Sequence, residues 1–172
     1  KGLENLVKAW VLLPSAIRSK WTVRVVGPDQ EGHTDELKEL CARLAVENDF
    51  EFVGPRYDKE LSREYGMADL FVLPTHSENF GSVVIEALEH RVPVICTKGA
   101  PWEELETHEC GWWIDIGAEP LGKALKNAMT LADSERLAMG ERGRKLVEDK
   151  YTWEAVVKRL ELAYEGVLNA ST

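Results

Sequence analysis

The chain has 172 residues, enough for one domain of ordinary size that buries roughly two-thirds of its unfolded surface. Hydrophobic residues make up 44% and charged residues 30%, which places the chain among soluble globular domains rather than disordered or membrane chains. A net charge of -9, with no basic cluster longer than Arg142 to Lys145, excludes the basic stripe that nucleic-acid binding requires.

In chain order, Leu3, Leu6, Val7, Trp10 and Val11 have helical spacing, so the sequence opens on a helix. A strand normally precedes such a helix in a βα fold. With no initial Met, the chain is expected to be cut from a longer protein. Short apolar runs rich in β-branched residues follow at 22–26, 50–53, 70–73, 92–96 and 112–116, each closed by a turn signal: Gly27-Pro28, Gly54-Pro55, Pro74, Lys98-Gly99 and Gly117. They lack the alternation of a half-exposed sheet and read as buried parallel strands. Leu37, Leu40, Cys41 and Leu44 mark a helix with Thr34 as its expected N-cap, and Phe80, Val83, Val84, Ala87 and Leu88 mark another. The last third reads as helix throughout: Leu121 to Ala128, then Leu137 to Val147, then Trp153 to Val167, with Asp133 or Ser134 and Thr152 as caps. The expected fold is α/β, a Rossmann-like doubly wound parallel sheet with helices on both faces and a helical C-terminal third, one domain over 1–172.

Cys41, Cys96 and Cys110 are odd in number and have no close pairs, which suggests neither a disulfide framework nor a zinc site and points to a reducing compartment. No apolar run approaches the ~20 residues of a spanning helix. His33, His90 and His108 have no ligand-like spacing with Cys or acids, so no metal site is expected.

The chemistry concentrates in 74–88, which follows a strand and opens a helix, the place where open α/β sheets bind ligands. Gly81 permits close backbone approach, and the free N–H groups and dipole of the helix start favour a phosphate. Glu78 lies in the loop and Glu86 about two turns into the helix, where side chains lean back toward the N-terminus, so both carboxylates can face one crevice. Beside a diphosphate they would serve as acceptors for sugar hydroxyls. Spacing alone leaves the alternative open that Glu86 is a solvated helix position.

Lys1-Gly2-Leu3, the stretch from Tyr65 to Pro74, Ser77-Glu-Asn-Phe-Gly81 with Glu86-Ala87, Val92-Pro-Val94 and Tyr151-Thr-Trp153 together resemble the C-terminal domain of GT-B fold glycosyltransferases of group 1. The resemblance covers essentially the whole chain. Its most specific element is the pair Glu78 and Glu86, with seven residues between them. It implies the donor half of a retaining enzyme that moves a sugar from a nucleoside diphosphate sugar to an acceptor hydroxyl, with no tightly bound cofactor. It implies that Lys1 pairs with the diphosphate, Glu86 holds the ribose hydroxyls and Glu78 acts beside the transferred sugar. Asn79, Phe80 and Gly81 would touch sugar and phosphates through their backbone, and Val53 and Gly54 would border the base. It further implies cell-envelope polysaccharide synthesis in the cytoplasm. The acceptor saccharide or lipid-linked saccharide, and any contact with the inner face of the membrane, would fall to an N-terminal domain. That domain and the arginine that usually precedes the lysine are absent, so the chain alone is expected to be inactive.

Other residues carry weaker signals. Trp102, Trp112 and Trp113 read as core packing first and as a stacking platform second. His76 reads equally as a loop histidine of no special role and as one that reaches an acceptor or phosphate, and Glu103, Glu104, Glu106 and Glu109 read as a solvated turn. Gly27-Pro28 is a weak look-alike of a phosphate loop. Two rival readings stand beside the main one. A receiver-like or ligand-binding module would show a phosphoacceptor Asp after its third strand, where Pro74-Thr75 stands instead. A GT-B sugar-nucleotide epimerase would differ in its N-terminal half.

Overall fold

The computed structural model describes residues 2–29 and 32–170. The first half runs α1 (Leu3–Val11), α2 (Ser15–Arg18), β1 (Val23–Val26), α3 (His33–Arg43), a 3-10 turn (Glu47–Asp49), β2 (Phe50–Gly54) and α4 (Asp58–Gly66). Next come β3 (Phe71–Leu73), α5 (Ser82–Glu89), β4 (Val94–Thr97), α6 (Glu104–Thr107) and β5 (Gly111–Ile114), then α7 (Ala118–Thr130), α8 (Asp133–Lys150) and α9 (Trp153–Ala170). All five expected strands form, and every pairing is parallel. β1 pairs β2 with Val25 opposite Phe52, and β3, β4 and β5 pair in that order with Phe71, Val94 and Gly111 in register. The strands thus fall into two hydrogen-bonded groups, β1-β2 and β3-β4-β5.

Residue alternation along β4 divides the core between two faces. Ile95 packs with Leu6, Val7 and Trp10 of α1, Leu37 and Cys41 of α3, and Leu121, Leu125 and Ala128 of α7. Val94 and Cys96 point the other way, to Val84, Ala87 and Leu88 of α5, Trp102, Leu105 of α6 and Leu146 and Val147 of α8. All four residues of β4 are buried, because helices cover both sides of it. Val23, Val25 and Phe52 join the same apolar cluster as Val72 and Ile95, so the two strand groups share one core. This is the doubly wound α/β arrangement, with a helical last third.

Three local expectations change. Thr34 does not cap α3: Gly32, in the left-handed region at φ 79°, precedes the first helical residue, and the Thr34 amide donates to Asp29 Oδ1 at 3.0 Å. Neither Asp133 nor Ser134 caps α8, because the Asp133 carboxylate is bonded to Arg136 and the Ala132 amide is met by Glu135 Oε2 at 3.0 Å. α4 was not expected, since Leu61 and Tyr65 are its only apolar residues along one face. Thr152 does cap α9, its Oγ1 accepting the Ala155 amide at 3.2 Å.

Candidate functional site

The loop leaving β3 is pinned to the end of β4. Thr75 and Thr97 are almost fully buried. Thr97 Oγ1 donates to the Thr75 carbonyl at 2.5 Å, Thr75 Oγ1 donates to the Ser77 carbonyl at 3.1 Å, and the Glu78 amide donates to the Gly99 carbonyl at 2.8 Å. Such buried hydroxyls need partners, and here each one fixes loop backbone. Trp102, fully buried, donates from Nε1 to the Phe80 carbonyl at 2.5 Å, and the Phe80 ring tilts against Trp102 and Tyr151 at 5.3 and 5.9 Å. Gly81 then takes the left-handed conformation, φ 76° and ψ 60°, and starts α5 with no side chain capping its amides. Those amides and the helix dipole form an anion-favouring end at the carboxyl side of β3.

Within this loop Glu78 is half-buried, Asn79 is exposed and the Phe80 ring is 43% exposed. Burial, with the Glu78 charge adding to it, pushes the Cys96 thiol up to about 12, so Cys96 is a neutral packing group behind the loop. Glu86 lies in the second turn of α5 and is half-buried, with Oε2 accepting from Tyr65 Oη at 3.1 Å. It is therefore not a freely solvated helix position. Gly2 adopts φ 73°, and its backbone lies so close to the Pro74 carbonyl and His76 that a side chain there would clash with Pro74. The start of α1 thus abuts the Pro74 loop; Lys1, next to it in sequence, lies outside the described residues. Val53 and Gly54 end β2, and the Gly54 carbonyl accepts the Gly27 amide at 3.0 Å. That turn is held by β1 rather than by the Glu78 loop.

The tryptophans pack as expected. Trp113 donates from Nε1 to the Ala100 carbonyl at 2.8 Å, and Trp112 lies against the α1 side of the core. Glu104 departs from its reading as solvated: it is bonded to Lys150 and to the Tyr151 hydroxyl, joining α6 to the end of α8. All three cysteines are buried and free. Sequence reasoning missed Tyr65, Thr75, Thr97 and the buttressing role of Trp102. The one local signal was polar threonine at the ends of two otherwise apolar strands, where a hydroxyl must find a backbone partner.

The profile of the family described as glycosyl transferases group 1 matches residues 1–146. The chain belongs to the group 1 glycosyl transferases. This membership counts against the receiver-like module. Among relatives in the family, the chain is 31% identical to D-inositol 3-phosphate glycosyltransferase of Corynebacterium glutamicum, an alignment covering 98% of this chain and 41% of that protein. It is 29% identical to N-acetyl-alpha-D-glucosaminyl L-malate synthase of Bacillus anthracis, covering 98% of this chain and 43% of that one. Among solved structures, WaaG, a glycosyltransferase involved in lipopolysaccharide biosynthesis, superposes with a TM-score of 0.79 at 25% identity, covering 94% of this chain and 43% of WaaG. The C-terminal domain of the group 1 family protein LpcC from Francisella tularensis superposes with a TM-score of 0.74 at 25% identity, covering 89% of this chain and 80% of that one. The chain therefore spans less than half the length of the curated relatives it matches. Among the described residues no helix is long and apolar enough to cross a membrane.

Proposed function

We propose that this chain is the donor-binding, C-terminal half of a two-domain retaining glycosyltransferase, one that moves a sugar from a nucleoside diphosphate sugar to an acceptor hydroxyl. The observation that carries the reading is the pinned loop from Pro74 to Gly81, which delivers Glu78 and the open amides of α5 to the carboxyl side of β3. The helix start takes a phosphate, with Lys1 as the paired cation, since Gly2 beside it already touches the loop. Glu86 accepts the ribose hydroxyls, Glu78 meets the transferred sugar, the backbone of Asn79, Phe80 and Gly81 lines sugar and phosphates, and Val53 and Gly54 border the base. Charge on the departing diphosphate is then stabilised by Lys1, the helix start and the arginine that in this family precedes the lysine by several residues. No metal or tightly bound cofactor is needed. The acceptor, a saccharide or lipid-linked saccharide of cell-envelope polysaccharide synthesis, is read by the N-terminal domain. The whole enzyme works in the cytoplasm and meets the inner face of the membrane through that domain.

The test is a panel of UDP, ADP, GDP and their sugar derivatives, screened by thermal shift and followed by calorimetry on the 172-residue chain. A ligand that binds only the folded state raises stability by RT ln(1 + [L]/Kd), about 2.7 kcal/mol at a hundredfold excess over Kd. Binding of at least one nucleoside diphosphate in the micromolar to millimolar range is expected, with no sugar transfer, because in this reading the second wall of the cleft belongs to the N-terminal domain. No binding at millimolar ligand would overturn the reading, and so would turnover by the chain alone.

A further inference from the structure

A glutamate that must meet two neighbouring hydroxyls at once binds them better if its carboxylate is fixed beforehand, because the ordering cost is then already met in the free protein. Glu86 is fixed from behind. Tyr65, in the last turn of α4, is only 7% exposed and donates from Oη to Glu86 Oε2 at 3.1 Å. Its own ring has little freedom: it stacks on His90 at 5.3 Å and meets the edge of Phe71 at 5.7 Å. His90 is anchored in turn, with Nδ1 2.8 Å from the Glu86 carbonyl and Nε2 2.8 Å from Ser62 Oγ. A carbonyl only accepts, so Nδ1 carries the proton, and in the neutral ring Nε2 accepts from Ser62. The phenol is thus aimed at one oxygen of one carboxylate by a chain of contacts through α4, β3 and α5.

We propose that Tyr65 is the positioning residue for Glu86, its phenol holding Oε2 so that Oε1 and the remaining lone pairs present a preset pair of acceptors to the vicinal hydroxyls of the donor ribose. The inference rests on the ribose role given to Glu86 above. A carboxylate has about four acceptor sites, so one bond from Tyr65 leaves enough for two hydroxyls. Burial, with the Glu86 charge adding to it, pushes the Tyr65 pKa up, which keeps the phenol a neutral donor. A neutral donor orients the carboxylate without pairing off its charge, and the charge is what makes it a strong acceptor.

Calorimetry on wild type, Tyr65→Phe and Glu86→Gln, with UDP, ADP and GDP and the 2′,3′-dideoxy form of each, tests this. Wild type should prefer the ribonucleotide. Tyr65→Phe should cut that preference by about threefold to tenfold through weaker ribonucleotide binding alone, the size of one ordinary net hydrogen bond. Its affinity for the dideoxy form should stay within about twofold, since the variant keeps the ring contacts to Phe71 and His90. Ser62→Ala, which frees His90 and leaves the phenol in place, should lower the same ratio by a smaller factor and serves as the second variant. A bond that merely ties α4 to α5 would weaken both nucleotide forms alike, and that result overturns the proposal. So does a full ribose preference in Tyr65→Phe alongside its loss in Glu86→Gln. Equal binding of both forms by wild type would remove the ribose role of Glu86 and the inference with it. Absence of all binding would remove the donor reading first.

Discussion

Glu104 stands in an acidic stretch that reads as a solvated turn, yet it is the residue through which α6 holds the end of α8. Partial burial raises its pKa, but hydrogen bonds from Lys150 and Tyr151 outweigh that and hold the group below its ordinary value. A carboxyl depressed in the folded state contributes stability that is fully present above its ordinary value of 4.5 and is lost as pH falls through the depressed one. Glu104→Gln should therefore cost about 1 kcal/mol at pH 7, in line with a partly exposed charged pair plus one hydrogen bond. The gap between variant and wild type should narrow in urea melts run well below the ordinary carboxyl range. A constant gap at all pH values would mean that shape, not charge, carries the contact. At this scale the two glutamates of the proposed site stand out in the sequence, and the side chains that hold carboxylates in place do not. Glu78 and Glu86 announce themselves through the Ser77 to Gly81 setting, whereas Tyr65 meets Glu86 across 21 residues and Tyr151 meets Glu104 across 47, separations that no local pattern encodes.

Among the elements, the five strands were readable because burial on both faces of a parallel sheet leaves an unbroken apolar run that turn residues must end. α4 was not readable, since most of its surface is solvated and only Leu61 and Tyr65 mark its inner side. α8 shows a different failure. Its pattern suggests Leu137 as a packing residue, but Leu137 is 66% exposed. The helix instead makes its close approach through two glycines, Gly140 against the Arg91 carbonyl just past α5 and Gly143 against Leu88 of α5. A Cβ at Gly140 would lie 2.0 Å from that backbone oxygen, which has no rotamer to change, so α8 must shift as a body. Gly140→Ala should lower stability by about 1–3 kcal/mol despite the better helix propensity of alanine, while Leu137→Ala should change it by less than about 0.5 kcal/mol. Equilibrium denaturation of the two variants checks the order; a neutral Gly140→Ala would mean that the α5–α8 contact is looser than described.

At the scale of the whole molecule, two half-buried glutamates eight positions apart hang from one unit: Glu78 from a loop pinned to β4, Glu86 from the helix that the loop starts. Their proposed ligand atoms differ in distance from the bond that breaks, and kinetics in the whole protein, the proposed two-domain enzyme, would separate them. The ribose is remote from the reaction and is held about equally in ground and transition states, so Glu86→Gln should mainly raise the donor KM. The transferred sugar gains positive charge as its bond to the diphosphate lengthens, so a nearby carboxylate helps more in the transition state than before it. Glu78→Gln should accordingly lower kcat by ~10-fold to ~1,000-fold, about 1.4 to 4 kcal/mol, comparable to removing one preorganised electrostatic group from an active site. If both variants instead show the same KM defect with kcat unchanged, the donor site stands and the catalytic role of Glu78 falls. If neither constant moves by more than about twofold, these are structural glutamates and the site must be sought elsewhere on the carboxyl side of the sheet.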